Sequence, residues 1–226
     1  MTKTNILSFV LLFFCVLSRG EQITTVFIDK SHDVSLISPL LNATGDITIS
    51  GKIEAENGIA VSNVQLTLKQ GNTILATTTT TALGTYAFPN LDANQTYTIE
   101  VAKNTDIYHG ITTFDMNLIT KSILGEVPLN SNYKLMAANV SENDTDNSTV
   151  DVLDVLLIRR TILRVDPSLP INTWSFIPSG YQFTTVAPNF PKPQPARQSF
   201  TITTASASIE FNFVGIKEGD VNGTAR

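Results

Sequence analysis

The sequence has little of what covalent stapling and most side-chain catalysis require. It carries one cysteine, Cys15, and two histidines, His32 and His109. One thiol cannot close an internal disulfide, and a Cys/His cluster of the kind that holds zinc is excluded. No HExxH pair, no nucleophile elbow and no phosphate-cradling glycine loop occurs. Charged residues make up only 15% of the chain, and their balance is acidic, with a formal net charge of −5. That balance is wrong for nucleic acid, which selects a basic patch. After the N-terminal segment no run is apolar enough to cross a bilayer, which takes about 20 residues. The chain reads as a non-enzyme with no membrane span.

The N-terminus predicts the compartment. Lys3 gives a weakly positive start, residues 6–17 are almost unbroken apolar, and Ser18 and Gly20 precede a cleavage point after Gly20. An apolar core of about 12 residues is too short for a span and suits a signal peptide over residues 1–20. Phe14 stands where lipid attachment at Cys15 would need a small residue. The expected location is therefore secreted or at the cell surface. Cleavage removes the only cysteine, and small extracellular domains without disulfides need another staple. A bound metal is the obvious substitute. Lys3 and Arg19 leave as well, while no acid does, so the remaining chain is more acidic.

Three pieces follow. Residues 21–46 hold only short apolar runs and read as a leader or an edge strand. Residues 47–103 read as all-β. Ile47 and Ile49 alternate with Thr48 and Ser50; Val64, Leu66 and Leu68 with Gln65 and Thr67; Tyr97, Ile99 and Val101 with Thr98 and Glu100. A period of two gives each strand one buried and one wet face. Turn residues separate the runs at 56–58, 70–72, 83–84 and 89–94. The threonine run 77–81 reads as an exposed strand. Short strands at this density predict a β-sandwich.

Within this piece, Gly51-Lys52-Ile53, the stretch 58–64, Gly84-Thr85-Tyr86-Ala87-Phe88, Leu91 and Tyr97-Thr98-Ile99 resemble the carboxypeptidase regulatory-like domain. That family is a transthyretin-like β-sandwich, an accessory module of bacterial surface proteins. Ala60 and Asn63 depart from its usual proline and glycine. The resemblance implies a structural or binding module and not a peptidase.

The third piece, 104–226, contains a repeat. Residues 112–128 superpose on 151–167 at an offset of 39: Asp115 on Asp154, Leu118 on Leu157, Ile119 on Ile158, Ile123 on Ile162 and Pro128 on Pro167. Such self-similarity marks duplicated supersecondary units. Apolar residues at steps of three and four predict one amphipathic helix per copy, ending near Gly125 or Arg164.

Each helix follows a polar loop. Calcium takes roughly six to eight oxygens, which a loop of about 12 residues presents at positions 1, 3, 5, 7, 9 and 12. Counting back from Asp115 gives Asn104 at position 1, Asp106 at 3, Gly110 at 7 through its carbonyl, and Thr112 at 9. Tyr108 at position 5 leaves a place for water. The second loop allows two registers. One counts back from Asp154 to Asn143, beside Asp144 and Asp146; the other starts at Asn139-Val140-Ser141 and carries an insertion before Asp151. Asp220 and Asn222 are ligands of a further half-loop or part of a polar tail. A metal-free alternative stands beside these: Thr112 with Asp115, and Asp151 with Asp154, also fit capping boxes.

Residues 104–223 resemble the type I dockerin-like module of bacterial surface proteins. The resemblance rests on Gly110-Ile111-Thr112-Thr113-Phe114-Asp115, on Tyr133-Lys134-Leu135-Met136-Ala137-Ala138, and on Gly215-Ile216-Lys217-Glu218-Gly219-Asp220-Val221-Asn222-Gly223. It implies calcium in the aspartate-bearing loops and a cohesin as partner. Asparagine replaces aspartate at position 1 of both loops, and a β-rich insert at about 168–214 holds Trp174, Phe176 and the alternation Ile209, Phe211, Phe213. The expected fold is mainly β with a small α part: a sandwich, two EF-hand-like loop-helix repeats and a β-rich C-terminal segment. The expected function is a calcium-binding scaffold, tether or adhesion module. The alternatives are a cohesin-binding adaptor and a sugar-binding sandwich that uses an exposed Trp174 with Tyr181 on a polysaccharide.

Overall fold

The computed structural model describes residues 46–105, 107–141, 150–165, 173–183 and 198–225. The signal peptide, the leader with His32, and the proline-rich stretch 188–195 lie outside the described residues. Strands β1 (Ile47–Glu54), β2 (Gln65–Gln70) and β5 (Thr96–Ala102) form where the period-two pattern predicts them, and β3 (Thr73–Thr79) and β4 (Thr85–Leu91) lie between β2 and β5 in the chain. Their inward positions, Ile47, Ile49, Ile53, Leu66, Leu68, Tyr86, Phe88, Tyr97, Ile99 and Val101, are all buried. β3 is largely exposed, in keeping with its threonine run.

The stretch 89–94 is not simply a turn. β4 continues through Pro89 and Asn90 to Leu91, and the turn comes at 93–94. Ile47 pairs with Leu91 but Ile49 pairs with Phe88, so β4 holds one extra residue. Asn90 takes a φ of +58° there. A bulge is a place where a sheet tolerates proline.

The remaining elements are α1 (Thr113–Ile123), α2 (Asn132–Ala138), α3 (Val152–Ile162), β6 (Trp174–Pro178), β7 (Ser199–Thr203), β8 (Ile209–Glu210) and β9 (Phe213–Lys217). Two sheets result. One runs β4-β1-β9-β6 with β8 also on β1, and the other runs β3-β2-β5-β7. They share one core, to which Trp174, Phe176, Phe200, Ile202 and Phe213 contribute beside the β1–β5 side chains. The boundary read at 103/104 therefore does not divide the sheets: β7 pairs antiparallel with β5, and β9 parallel with β1.

The alternation Ile209, Phe211, Phe213 is split between β8 and β9. At the break, Phe211 turns its backbone onto β1 and β4. Its N–H donates to the Ser50 carbonyl, and its own carbonyl accepts from the Tyr86 hydroxyl. Gly51 permits this, because a Cβ there would meet the Phe211 carbonyl carbon at 2.8 Å. Trp174 is only 2% exposed, which removes it as a surface platform for sugar.

A second core joins the helices to one sheet. Ile119 of α1, Ile158 of α3 and Met136 of α2 pack with Ile177 of β6, Ile216 of β9, and Val221. α2 has no counterpart among the sequence expectations; its signal is Ser131, whose hydroxyl accepts from Tyr133 and Lys134 N–H as an N-cap. No helix among the described residues is long and apolar enough to cross a membrane.

The fragment 46–105 alone would leave β1 without β9 and β5 without β7. It would also lose five large core side chains, worth about 10 kcal/mol in all, comparable to the whole stability of a domain at about 5–15 kcal/mol. The fragment is expected to show no cooperative thermal transition by circular dichroism, whereas the full chain shows one.

Candidate functional site

The repeat survives in three dimensions. Each of α1 and α3 has 11 residues, and each begins in a full capping box: Thr112 with Asp115, and Asp151 with Asp154. Each ends in a left-handed residue, Gly125 at φ +73° and Arg164 at φ +56°. In each, two amides beyond the helix return to carbonyls of its last turn. Arg164 takes this conformation without being glycine, and its guanidinium lies 5.0 Å from the Tyr108 ring centre.

Asp115 and Asp154 do more than cap. Both are completely buried. Asp154 Oδ2 accepts from the Asp151 N–H at 2.8 Å, as a cap should. Its Oδ1 accepts from two consecutive amides of another segment, Val140 at 2.8 Å and Ser141 at 2.9 Å. Asp115 repeats the arrangement. Its Oδ2 accepts from Thr112 N–H at 2.9 Å and Thr112 Oγ1 at 2.7 Å, and its Oδ1 from Val221 and Asn222 N–H, each at 3.1 Å. A carboxylate offers about four acceptor sites, so Asp115 is filled by N–H and O–H donors. Each aspartate is a clasp between a helix start and a distant Asn/Asp-Val-Ser/Asn tripeptide.

Asp220 lies beside Asp115 and is itself buried. It curls the following chain around its carboxylate, accepting from Gly223 N–H at 2.8 Å and Ala225 N–H at 2.6 Å. Burial pushes its carboxyl above the ordinary pKa; the amides at Ala225, Thr224 and Gly223 oppose this, and the nearby Asp115 charge adds to it. Burial likewise raises Asp154 against the amides that favour its ionised form. No basic side chain among the described residues pairs with Asp115, Asp154 or Asp220.

The structure thus gathers two groups. Gly110, Thr112, Asp115, Asp220 and Asn222 form one; Asn139, Ser141, Asp151 and Asp154 form the other. Asn104 is exposed and gives Asp115 no hydrogen bond, while Thr112 from the same back-count does, and Val221 and Asn222 from far along the chain join it. Asp106, Asn143, Asp144 and Asp146 lie outside the described residues. In the second loop, Val140 and Ser141 of the register beginning at Asn139 meet Asp154; residues 143–147 of the other register lie outside the described residues. The sequence did hold a signal for the first partner: Asp220-Val221-Asn222 repeats the pattern of Asn139-Val140-Ser141.

Whether these residues suit calcium can be tested on the donors. Among the described residues no group of three or more His, Cys, Asp or Glu side chains converges. The first group instead offers carboxylate, amide, hydroxyl and carbonyl oxygens, the hard donors calcium takes. The Asn222 side-chain oxygen is buried and has no hydrogen-bond partner. A Cβ added to Gly110, at φ +83°, would sit 2.7 Å from Asp220 Oδ2, so glycine alone lets the two segments approach. The donor set fits.

Comparison with known proteins agrees with the first resemblance. Residues 48–106 match the carboxypeptidase regulatory-like domain. No curated protein matches the chain. Among solved structures, a similar one is the C-terminal fragment of the pilus adhesin SpaC from Lactobacillus rhamnosus GG. Its identity is 22%, over 30% of this chain and 27% of that one, with a TM-score of 0.25.

The clasps should be visible in stability. Asp154→Ala strands two buried amides and should cost roughly 3 kcal/mol or more. Asp151→Ala removes an exposed cap and should cost about 1 kcal/mol. Urea unfolding in the presence of chelator measures both; equal losses would show that Asp154 is only a cap.

Proposed function

We propose that this chain is a non-catalytic, calcium-binding module of a secreted or cell-surface protein, acting as a scaffold or tether. The observation that carries the reading is the pair Asp115 and Asp220, two neighbouring buried carboxylates that form no ion pair with a basic side chain among the described residues. Buried like charges are costly unless a counter-charge joins them. Calcium, when bound, supplies that charge. The chain's own residues do the rest: Asp115 and Asp154 hold two segments against the helix starts, and the helices lie on the sheet through Ile177 and Ile216. The absence from the sequence of any familiar catalytic motif, and the carboxypeptidase regulatory-like match, support a structural role over an enzymatic one.

Thermal unfolding tests it. Calcium at 100 times its Kd should add about 2.7 kcal/mol, which for a chain of this size is a rise of about 5–10 °C in Tm. Magnesium at equal concentration should give little. Identical melting curves in calcium and chelator would leave Asp115 and Asp154 as metal-free clasps and end the calcium reading.

A second reading, docking of a cohesin-like partner on the helices, is favoured by one observation. Phe114, Val152, Leu156 and Leu163 on or next to α1 and α3 are exposed apolar side chains. Arg159 and Arg160 are exposed on α3, while the Ser122 hydroxyl is engaged by the Leu129 N–H at 3.2 Å. On this reading Leu156→Glu weakens binding to a cohesin at least tenfold by titration calorimetry and leaves Tm unchanged; undiminished binding removes α3 from the interface.

A further inference from the structure

Asp115 and Asp154 occupy equivalent places, so the segments they clasp are equivalent too. Asp154 Oδ1 holds the amides of residues 140 and 141; Asp115 Oδ1 holds those of residues 221 and 222. Asn139 thereby corresponds to Asp220, and Ser141 to Asn222. In both segments, side-chain oxygens sit two residues apart, as at the first and third positions of a calcium loop. The residues that chain order would put in those places for Asp115 are Asn104 and Asp106, and Asn104 is exposed.

We infer that residues 220–224 are the first half of a calcium loop whose second half is 110–115, one site built from segments 106 residues apart. The inference rests on the calcium reading above and names where that ion goes. Four oxygens are its protein ligands: the Asp220 carboxylate, the Asn222 side-chain oxygen, the Thr224 hydroxyl and the Gly110 carbonyl.

Two proximities and one unmet acceptor support the site. Thr224 Oγ1 lies 3.4 Å from the Gly110 carbonyl oxygen, so hydroxyl and carbonyl from the two segments already meet. Asp220 Oδ2 lies 2.7 Å from where a Gly110 Cβ would be. The Asn222 oxygen is buried and accepts nothing. An unmet buried acceptor is unusual in a folded chain, and a cation is a partner it lacks. Asp115 is a positioning residue, since its acceptor sites are filled and its task is to hold the two halves in register. With one carboxylate ligand, affinity falls at the weak end for calcium loops, on the order of 10⁻⁴ M. Calcium here would tie the segment that follows β9 to the start of α1.

Asn222→Leu keeps the side-chain size and removes an oxygen that no protein atom uses. Hydrogen exchange of the full chain, titrated with calcium chloride, reads residues 110–115 and 220–225 directly. We expect both segments to gain protection together in the unaltered chain. The concentration required should rise at least tenfold in Asn222→Leu and stay unchanged in Asn104→Leu. If Asn222→Leu fails to fold, Thr224→Val at an exposed position carries the same test. An undiminished response in Asn222→Leu, or one lost in Asn104→Leu, overturns the composite loop and leaves calcium binding standing. No calcium response in any segment of the unaltered chain overturns both.

Discussion

The tertiary structure depends on two buried carboxylates that have no basic partner among the described residues. Asp115 and Asp154 are tolerable inside the molecule because donors converge on them: Thr112 N–H and Oγ1 with the Val221 and Asn222 amides on Asp115, and the Asp151 amide with the Val140 and Ser141 amides on Asp154. Hydrogen bonds to a charged acceptor are short-ranged and directional, and they are among the stronger ones a protein makes. Apolar packing of α1 and α3 could tolerate a small slide. Three or four directional donors around one carboxylate cannot, so these two points set how the helical layer sits.

What the clasps hold is the C-terminal strand and the segments beside it. β9 lies in the sheet next to β1, and its chain continues without interruption into the segment Asp115 grips. On the way, the Gly219 N–H donates to the Ala137 carbonyl at the end of α2, and Lys217 Nζ to the Ile107 carbonyl before α1. Asn57, in the turn after β1, donates to the Gly223 carbonyl. Sandwich and helices are therefore interlocked rather than strung in series.

Much of this was legible along the chain. The inward residues of β1, β2 and β5 followed from alternation, because a strand buries every second side chain whatever its partner. The two helices, their caps and their ends followed from the repeat, because capping is a local matter of side chain against nearby amides. The bulge at Pro89 and Asn90 did not, since it depends on the register against β1. Neither did α2, a short helix whose stability comes from packing more than from its own propensity.

The sequence by itself determined the local alphabet: strand faces, helix starts, the Asp-centred repeat, and the acidic, cysteine-free character beyond the N-terminal segment. Only the tertiary structure decided which segments meet. It placed β7 beside β5 and β9 beside β1, and it gave Asp115 the amides of Val221 and Asn222 in addition to its own cap at Thr112. The physical reason is range. Alternation and capping act over a few residues and leave a mark in order and spacing. A parallel strand pair or a carboxylate clasp joins residues far apart in the chain, and the partner is chosen by the shared core that brings both into reach.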